Sequence, residues 1–412
     1  MASQHHGPTS VLASPSSPAA PAARVAGVGP TVFATITAEA VRTGAANLGQ
    51  GFPDEDGPAE MLRLAAAEIT GGNNQYGPGR GLPSLRRAVA DDRARRLGHH
   101  VAPDDVLVTV GATEGIAAAV LGLVDRGREV VVLEPTYDAY SAAIRLAEAV
   151  ARPVRLLLDD GRWHLDRARF AAAVADGPAA VILNSPHNPT GTVLGRDDLE
   201  FIADTVRGTG VVVISDEVYE RLAFDRPHIA FATLPGMADR TVTLSSAAKS
   251  FNVTGWKTGW AIAPPPLLDA VTAAKQFLSY VGVTPLQPAV AWALGHADDW
   301  SGRWGRLLRD RRDRLAAVLR ATGQDVLHSD GTYFLVSDIA PLGLGISAEE
   351  FCRGLPEAVG VAAIPVSSFV ADVDEQVRTL VRWTFCKADE TLDRAEERLR
   401  TADWTRLHKA GN

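Results

Sequence analysis

The sequence predicts an α/β fold: a large domain on a mostly parallel sheet flanked by helices, followed by a smaller α+β domain. From about Val106 onward, short β-branched runs end in polar or glycine-bearing turns and alternate with longer Ala/Leu/Arg-rich segments. The runs are largely continuous in apolar character, without a clean in-out alternation, which marks strands buried on both faces of a sheet. Beyond about Pro288 this rhythm gives way to long charged stretches and short strand-like pieces.

The expected strands are residues 106–110, 130–134, 180–184, 211–215 and 241–245, and the segments 113–124 and 197–207 read as crossover helices between strands. In the second domain a long arginine-rich helix is expected over 300–320, with strand-like pieces near 332–337 and 377–385. Residues 1–28 are rich in Ala, Pro, Ser and Gly and are expected to be a disordered leader. The segment 32–51 lies far from the second domain in sequence; it either packs against that domain or lines the cleft between the two. The resulting division is a leader (1–28), a joining segment (29–62), a large domain (63–290) and a small domain (291–412).

At 412 residues, 46% of them hydrophobic, the chain supplies the core of an enzyme-sized protein. A net charge of −8 without a basic run gives no footprint for nucleic acid, so no such partner is expected. The two cysteines, Cys352 and Cys386, form no CxxC pair, which argues against a disulfide framework or a structural zinc and fits a reducing cytoplasm. No apolar stretch approaches a membrane span, and no membrane or metal is expected.

In an open α/β sheet ligands bind beyond the carboxyl ends of the strands, so the residues after each run are where chemistry belongs. The first run leads into Gly111-Ala112-Thr113-Glu114-Gly115, small residues at a helix start that suit a phosphate, although a bare turn looks the same. The second ends in Glu134-Pro135-Thr136-Tyr137-Asp138-Ala139-Tyr140, which offers either a ring for a flat cofactor to stack on or an ordinary core aromatic. The third ends in Asn184-Ser185-Pro186-His187-Asn188-Pro189-Thr190-Gly191, a dense turn that leaves Asn188 to hydrogen-bond. The fourth ends in Ser215-Asp216-Glu217-Val218-Tyr219-Glu220, where Asp216 either pairs with a protonated ring nitrogen or caps the next helix.

The fifth run ends in Ser245-Ser246-Ala247-Ala248-Lys249-Ser250-Phe251, followed by Gly255-Trp256-Lys257-Thr258-Gly259-Trp260. A lysine among hydroxyl residues, with a second lysine close by, suits an amine that forms a Schiff base with a carbonyl cofactor; the alternative is a surface loop. Burial and a neighbouring cation lower such an amine's pKa enough to free it as a nucleophile.

Taken in order, the strings NPTG, SDEVYE and SSAAKSF with GWKTGW resemble the fold-type I, class I/II aminotransferases that use pyridoxal 5'-phosphate, from about Val32 to about Arg400. The resemblance implies a seven-stranded large-domain sheet, Lys249 as the catalytic lysine that carries the cofactor, and Asp216 on its ring nitrogen. It further implies Asn188 and Tyr219 at the ring oxygen, Tyr137 stacked on the ring, and Ala112, Thr113, Ser246 and Lys257 at the phosphate. Arg382, in Leu380-Val381-Arg382-Trp383-Thr384-Phe385, matches the arginine that binds the substrate α-carboxylate, with Gly51 and Asn188 beside it. Tyr76 matches a tyrosine that reaches the phosphate of the other subunit, so the resemblance implies a homodimer with shared sites acting on an amino acid and a 2-oxo acid.

Within the family, the strings around Asn47 to Pro58, Ile364 to Phe369 and Phe385-Cys386-Lys387 are most similar to the kynurenine/glutamine-phenylpyruvate branch. The run through Ser279-Tyr280-Val281-Gly282 and the GVAAIP string resemble actinobacterial N-succinyldiaminopimelate aminotransferases. Thr113 and Glu114 stand where animal kynurenine enzymes carry an aromatic and a small residue, which argues against a large aromatic substrate. The implied reaction is amination in lysine biosynthesis, N-succinyl-LL-2,6-diaminopimelate with 2-oxoglutarate/glutamate. The alternatives are a glutamine-, methionine- or kynurenine-type aminotransferase, a cysteine-conjugate C-S β-lyase, and a non-enzymatic ligand sensor.

Overall fold

A computed structural model describes residues 21–26, 29 and 31–409. Most of the expected leader lies outside the described residues; within it, residues 23–26 form a turn from which Arg24 reaches Glu148.

The large sheet has seven strands: β1 (Val106–Val110), β2 (Glu129–Glu134), β3 (Val150–Arg155), β4 (Ala180–Asn184), β5 (Val212–Asp216), β6 (Thr241–Ser246) and β7 (Thr258–Ile262), in the order β1-β7-β6-β5-β4-β2-β3. Six run parallel in effect, because β7 alone is antiparallel to both neighbours, β1 and β6. Alternate residues divide between two helical layers. Val131, Leu133, Val181, Leu183 and Val213 pack with the helices Arg167–Ala175 and Arg196–Val206. Val130, Val132, Ile182, Ile214, Val242 and Leu244 pack with Gly111–Leu123, Asp138–Leu146 and Pro265–Leu278. Burial on both faces is why the runs read as continuous apolar segments.

Two strands of this sheet escaped the sequence reading. β3 carries Pro153, which lacks a ladder donor and is tolerated because β3 pairs with β2 alone at the sheet edge. β7 begins inside GWKTGW, whose glycines and tryptophans hid a strand buried along its whole length. The five expected strands and both crossover helices form, the strands at 106–110 and 180–184 with the expected ends and the others with ends shifted by a residue or two.

The carboxyl-terminal part holds a four-stranded antiparallel sheet of residues 325–326, 334–338, 380–384 and 364–365, in that order, covered by helices that include Asp298–Ala321, Ala348–Ala358 and Asp389–Arg400. The long arginine-rich helix starts two residues before its expected position and runs for 24 residues. The amino-terminal segment settles into both of its open placements. Helix Val32–Thr43 and strand Ala46–Asn47 join the small sheet region, the strand pairing in parallel with Val361–Ala362, and the chain from Gln50 to Phe52 then borders the cleft. Among the described residues, no helix is long and apolar enough to cross a membrane.

Helix Gly111–Leu123, which begins at the cleft, is seated by a close backbone approach at Gly122, where a Cβ would lie 2.5 Å from the Ala270 carbonyl oxygen. Alanine favours helix by about 1 kcal/mol over glycine, but overpacking against backbone costs about 1–3 kcal/mol. Gly122→Ala is therefore expected to lower stability by about 1–2 kcal/mol in urea unfolding; a stabilised variant would contradict this packing.

Candidate active site

The carboxyl ends of β1, β4, β5 and β6 open into a cleft of about 440 Å³, closed on the far side by Arg382, Phe334 and the segment Gln50 to Phe52. Its lining includes Gly51, Ala112, Thr113, Tyr137, Asn188, Asp216, Tyr219, Ser246, Lys249, Lys257 and Arg382, so the sequence strings converge in one cavity. Tyr76 does not join them: it is 82% exposed, outside the cavity, with its ring edge-on to Tyr280 at 5.6 Å.

At the floor, Asp216 is the last residue of β5 and is almost wholly buried. Its Oδ2 accepts a hydrogen bond from the Tyr140 hydroxyl at 2.7 Å, and its Oδ1 accepts from the Val218 N–H at 3.2 Å. Burial pushes its pKa up to about 6, while these donors pull the other way. Among the described residues this carboxylate has no cationic partner at bonding distance, and its free energy would fall if it gained one. Tyr140 is a site residue that sequence reasoning missed. Its place one helical turn after Tyr137 was visible, but the pairing with a strand end 76 positions away was not.

The turn after β4 is ordered by Asn184. Its amide donates to the Asp216 carbonyl at 2.9 Å, and its Oδ1 accepts from the Asn188 N–H at 2.8 Å. Asn188 Oδ1 in turn accepts from Arg382 Nη1 at 2.9 Å, while Arg382 Nη2 donates to the Gly49 carbonyl at 2.7 Å. The guanidinium is buried with its carbon 4.1 Å from the Phe334 ring centroid, 4.8 Å from Phe369 and 5.3 Å from Phe33. Desolvation lowers its pKa to about 10. Among the described residues it forms no ion pair, and its Nε has no hydrogen-bond partner. The aromatic box was not foreseen, because its rings come from three distant segments.

Lys249 lies in the short turn Ala247–Ser250 that follows β6. Its Nζ donates to the Gly51 carbonyl at 3.2 Å, and its own carbonyl accepts from the Tyr333 hydroxyl at 3.1 Å. The ammonium stands 5.7 Å from the Tyr219 ring and 5.6 Å from the Tyr333 ring. Burial, reinforced by the positive fields of Arg382 and Lys257, lowers its pKa to about 8 against the opposing pull of Cys386 and Asp216.

The other end of the cleft is an anion cradle. Gly111, at φ 71°, turns the chain from β1 into helix Gly111–Leu123, whose first N–H groups have no intrahelical partners. Lys257, itself left-handed at φ 49°, places Nζ 3.2 Å from where a Gly111 Cβ would sit. Ser246 caps the lysine turn without spending its hydroxyl on a cap bond. Burial raises the pKa of the Tyr137 phenol to about 12, with Thr113 pulling the other way.

In the ligand-free chain the Lys249 amine should be acylated at a rate that rises with pH and levels off above about 8, as its neutral form saturates. Ordinary lysines should keep gaining reactivity toward about pH 10. Peptide mass spectrometry after pulse acylation reads this; a Lys249 profile matching the surface lysines would refute its shifted pKa.

The family model for aminotransferase class I and II matches residues 43–399. The probable N-succinyldiaminopimelate aminotransferase DapC of Mycobacterium tuberculosis is 53% identical over 90% of this chain and 95% of its own length. The methionine aminotransferase of Escherichia coli is 36% identical over 93% and 98%. The solved structure of the Mycobacterium tuberculosis N-succinyldiaminopimelate aminotransferase superposes with a TM-score of 0.90, covering 92% of this chain and 99% of that one. A cleft lysine, a buried carboxylate and an uncompensated arginine thus sit in a fold shared along nearly the full length of these enzymes, and this chain belongs to the class I and II aminotransferases.

Proposed function

We propose that the protein is a pyridoxal 5'-phosphate-dependent aminotransferase that exchanges the amino group of N-succinyl-LL-2,6-diaminopimelate with 2-oxoglutarate/glutamate. The observation that carries the reaction type is Arg382: a buried guanidinium whose hydrogen-bond partners among the described residues, Asn188 and Gly49, are neutral awaits a carboxylate. Burial of an unpaired charge is costly, and a bidentate α-carboxylate relieves it while fixing the substrate Cα above the cleft floor.

The residues present fit the cofactor. The Gly111 turn, Ser246, Thr113, Ala112 and Lys257 would hold the phosphate, in a cradle that a Cβ at Gly111 would crowd. Asp216, short of a cationic partner, would hold a proton at the ring nitrogen. Tyr137 would cover a ring face, and Asn188 and Tyr219 would bond the ring oxygen. When bound, the cofactor supplies a carbonyl for amines and an electron-poor ring that accepts charge from Cα. Lys249, with a pKa of about 8, is neutral in a useful fraction near neutral pH and would take the Cα proton and return it at the carbon that the cofactor's carbonyl supplies.

For the substrate, support comes from the motif resemblance and from the Mycobacterium tuberculosis relative. Transamination of methionine, glutamine or kynurenine is the second reading, favoured by the Escherichia coli methionine aminotransferase and the Dictyostelium discoideum kynurenine–oxoglutarate transaminase at 34% identity. A C-S β-lyase uses the same groups when a leaving group sits on Cβ. We further take residues 63–290 as the cofactor-holding domain, 291–412 as the smaller domain, and the cytoplasm as the location. A homodimer is proposed from the exposed aromatics Tyr76, Phe277 and Tyr280, apolar surface that a second copy would cover while Tyr76 reached its cleft; a single-chain mass in light scattering would remove it.

Lys249→Ala should lose the visible absorbance of the bound cofactor and all turnover, and full activity would sink the assignment. Arg382→Ala should raise KM for the amino donor by about 10- to 100-fold with a smaller change in kcat; an unchanged KM would take Arg382 out of the carboxylate site. An amino-donor screen with 2-oxoglutarate should give its highest kcat/KM for succinyl-diaminopimelate. Preference for methionine, glutamine or kynurenine would favour the second reading, and pyruvate released without an acceptor would favour the lyase.

A further inference from the structure

Behind the cleft floor lies a second charged assembly that none of the roles above uses. Arg93, on helix Pro83–Leu97, is buried, and its guanidinium forks between two buried carboxylates: Nη2 to Glu217 Oε2 and Nη1 to Glu220 Oε2, both at 2.7 Å. Glu217 also accepts from the Ser215 hydroxyl at 2.9 Å and the Phe231 N–H at 3.1 Å, and faces His228 Nε2 at 3.1 Å. Glu220 Oε1 accepts from the Ser245 hydroxyl at 2.6 Å, and Arg96 approaches its other oxygen at 3.1 Å.

These contacts fall where β5 and β6 stop pairing with each other, while β6 stays paired with β7 through Ser246. Asp216 is the last residue of β5 registered on β6, opposite Leu244, and beyond it one backbone bond remains, Glu217 N–H to the Leu244 carbonyl at 2.8 Å. From there β5 leads to Tyr219, and β6 continues through Ser245 and Ser246 into the turn that bears Lys249. Glu220 reaches across to Ser245, Glu217 is held to its own strand through Ser215, and Arg93 joins the two carboxylates, so the cluster as a whole links the diverging ends of β5 and β6. Each acts as a multiple acceptor and so must be ionised, yet two buried carboxylates this close repel one another. Arg93 allows both to keep their charge.

We propose that Arg93, through Glu217 and Glu220, is a positioning residue for the transamination: its buried ion pairs fix the spacing between Asp216 and Lys249. The inference rests on the roles proposed for those two residues. It assigns no contact with cofactor or substrate to Arg93.

The decisive variant is Ser245→Ala, which cuts the link from Glu220 to the lysine-bearing strand and leaves both ion pairs in place. With the holoenzyme, kcat is expected to fall about tenfold while KM for the donor stays within about twofold, because misplacement of reacting groups penalises the chemical step rather than carboxylate binding. The absorbance maximum of the bound cofactor should shift, and the thermal midpoint of the cofactor-free chain should stay close to that of the parent. Arg93→Met should show a larger kcat loss, partly restored by Arg93→Lys. Parent-like kcat and absorbance in Ser245→Ala overturn the proposal, as does an Arg93→Met protein that folds and turns over normally. A loss confined to the thermal midpoint assigns the cluster to stability alone and also overturns it. A parent protein that binds no pyridoxal phosphate overturns the reading of the cleft, and this inference with it.

Discussion

Arg382 ties the architecture together through a charge without a counter-charge. Its backbone belongs to the small sheet, its Nη1 bonds Asn188 beyond the large sheet, and its Nη2 bonds Gly49 in the amino-terminal segment. Three separately built parts of the chain therefore meet on one guanidinium. Such a group is tolerated because carbonyl dipoles and the faces of Phe334 and Phe369 replace part of its hydration. What they cannot replace is a full negative charge, and this directs an anionic substrate to one spot.

Arg93 solves the opposite problem. Its two carboxylates supply the negative charge it needs, one on each terminal nitrogen, while its Nε has no hydrogen-bond partner among the described residues. Arg382 and Arg93 are both buried; among the described residues the first has no anionic partner and the second has two. Burial alone does not mark a functional charge; the state of its partner does. The same distinction separates Asp216, raised to about 6 and short of a cation, from Glu217, which its arginine holds well below the usual carboxylate range despite burial.

The lysine is tuned by the same geometry. Burial lowers its pKa, and the positive ends of the cleft, Arg382 and Lys257, push in the same direction. Groups that bind the anionic ends of ligands thus also favour a neutral amine between them, so the anchoring and reactive functions of the cleft are coupled electrostatically.

Local patterns determined much of this protein. Continuous apolar runs identified strands covered on both faces, and the strings that follow them carried Asn188, Asp216, Lys249 and the Gly111 turn, because a strand end and its turn are encoded within a few adjacent residues. Weak local signals failed at β3, where Pro153 obscured an edge strand, and at β7, where glycines obscured a buried one. Only the tertiary structure decided the contacts between distant segments: Tyr140 on Asp216, the aromatic box around Arg382, the double placement of the amino-terminal segment, and the fork of Arg93 onto Glu217 and Glu220. The physical reason is that periodicity and turn chemistry report which face of an element is buried, whereas the partner across that face is chosen by packing of the whole chain, which no short window of residues contains.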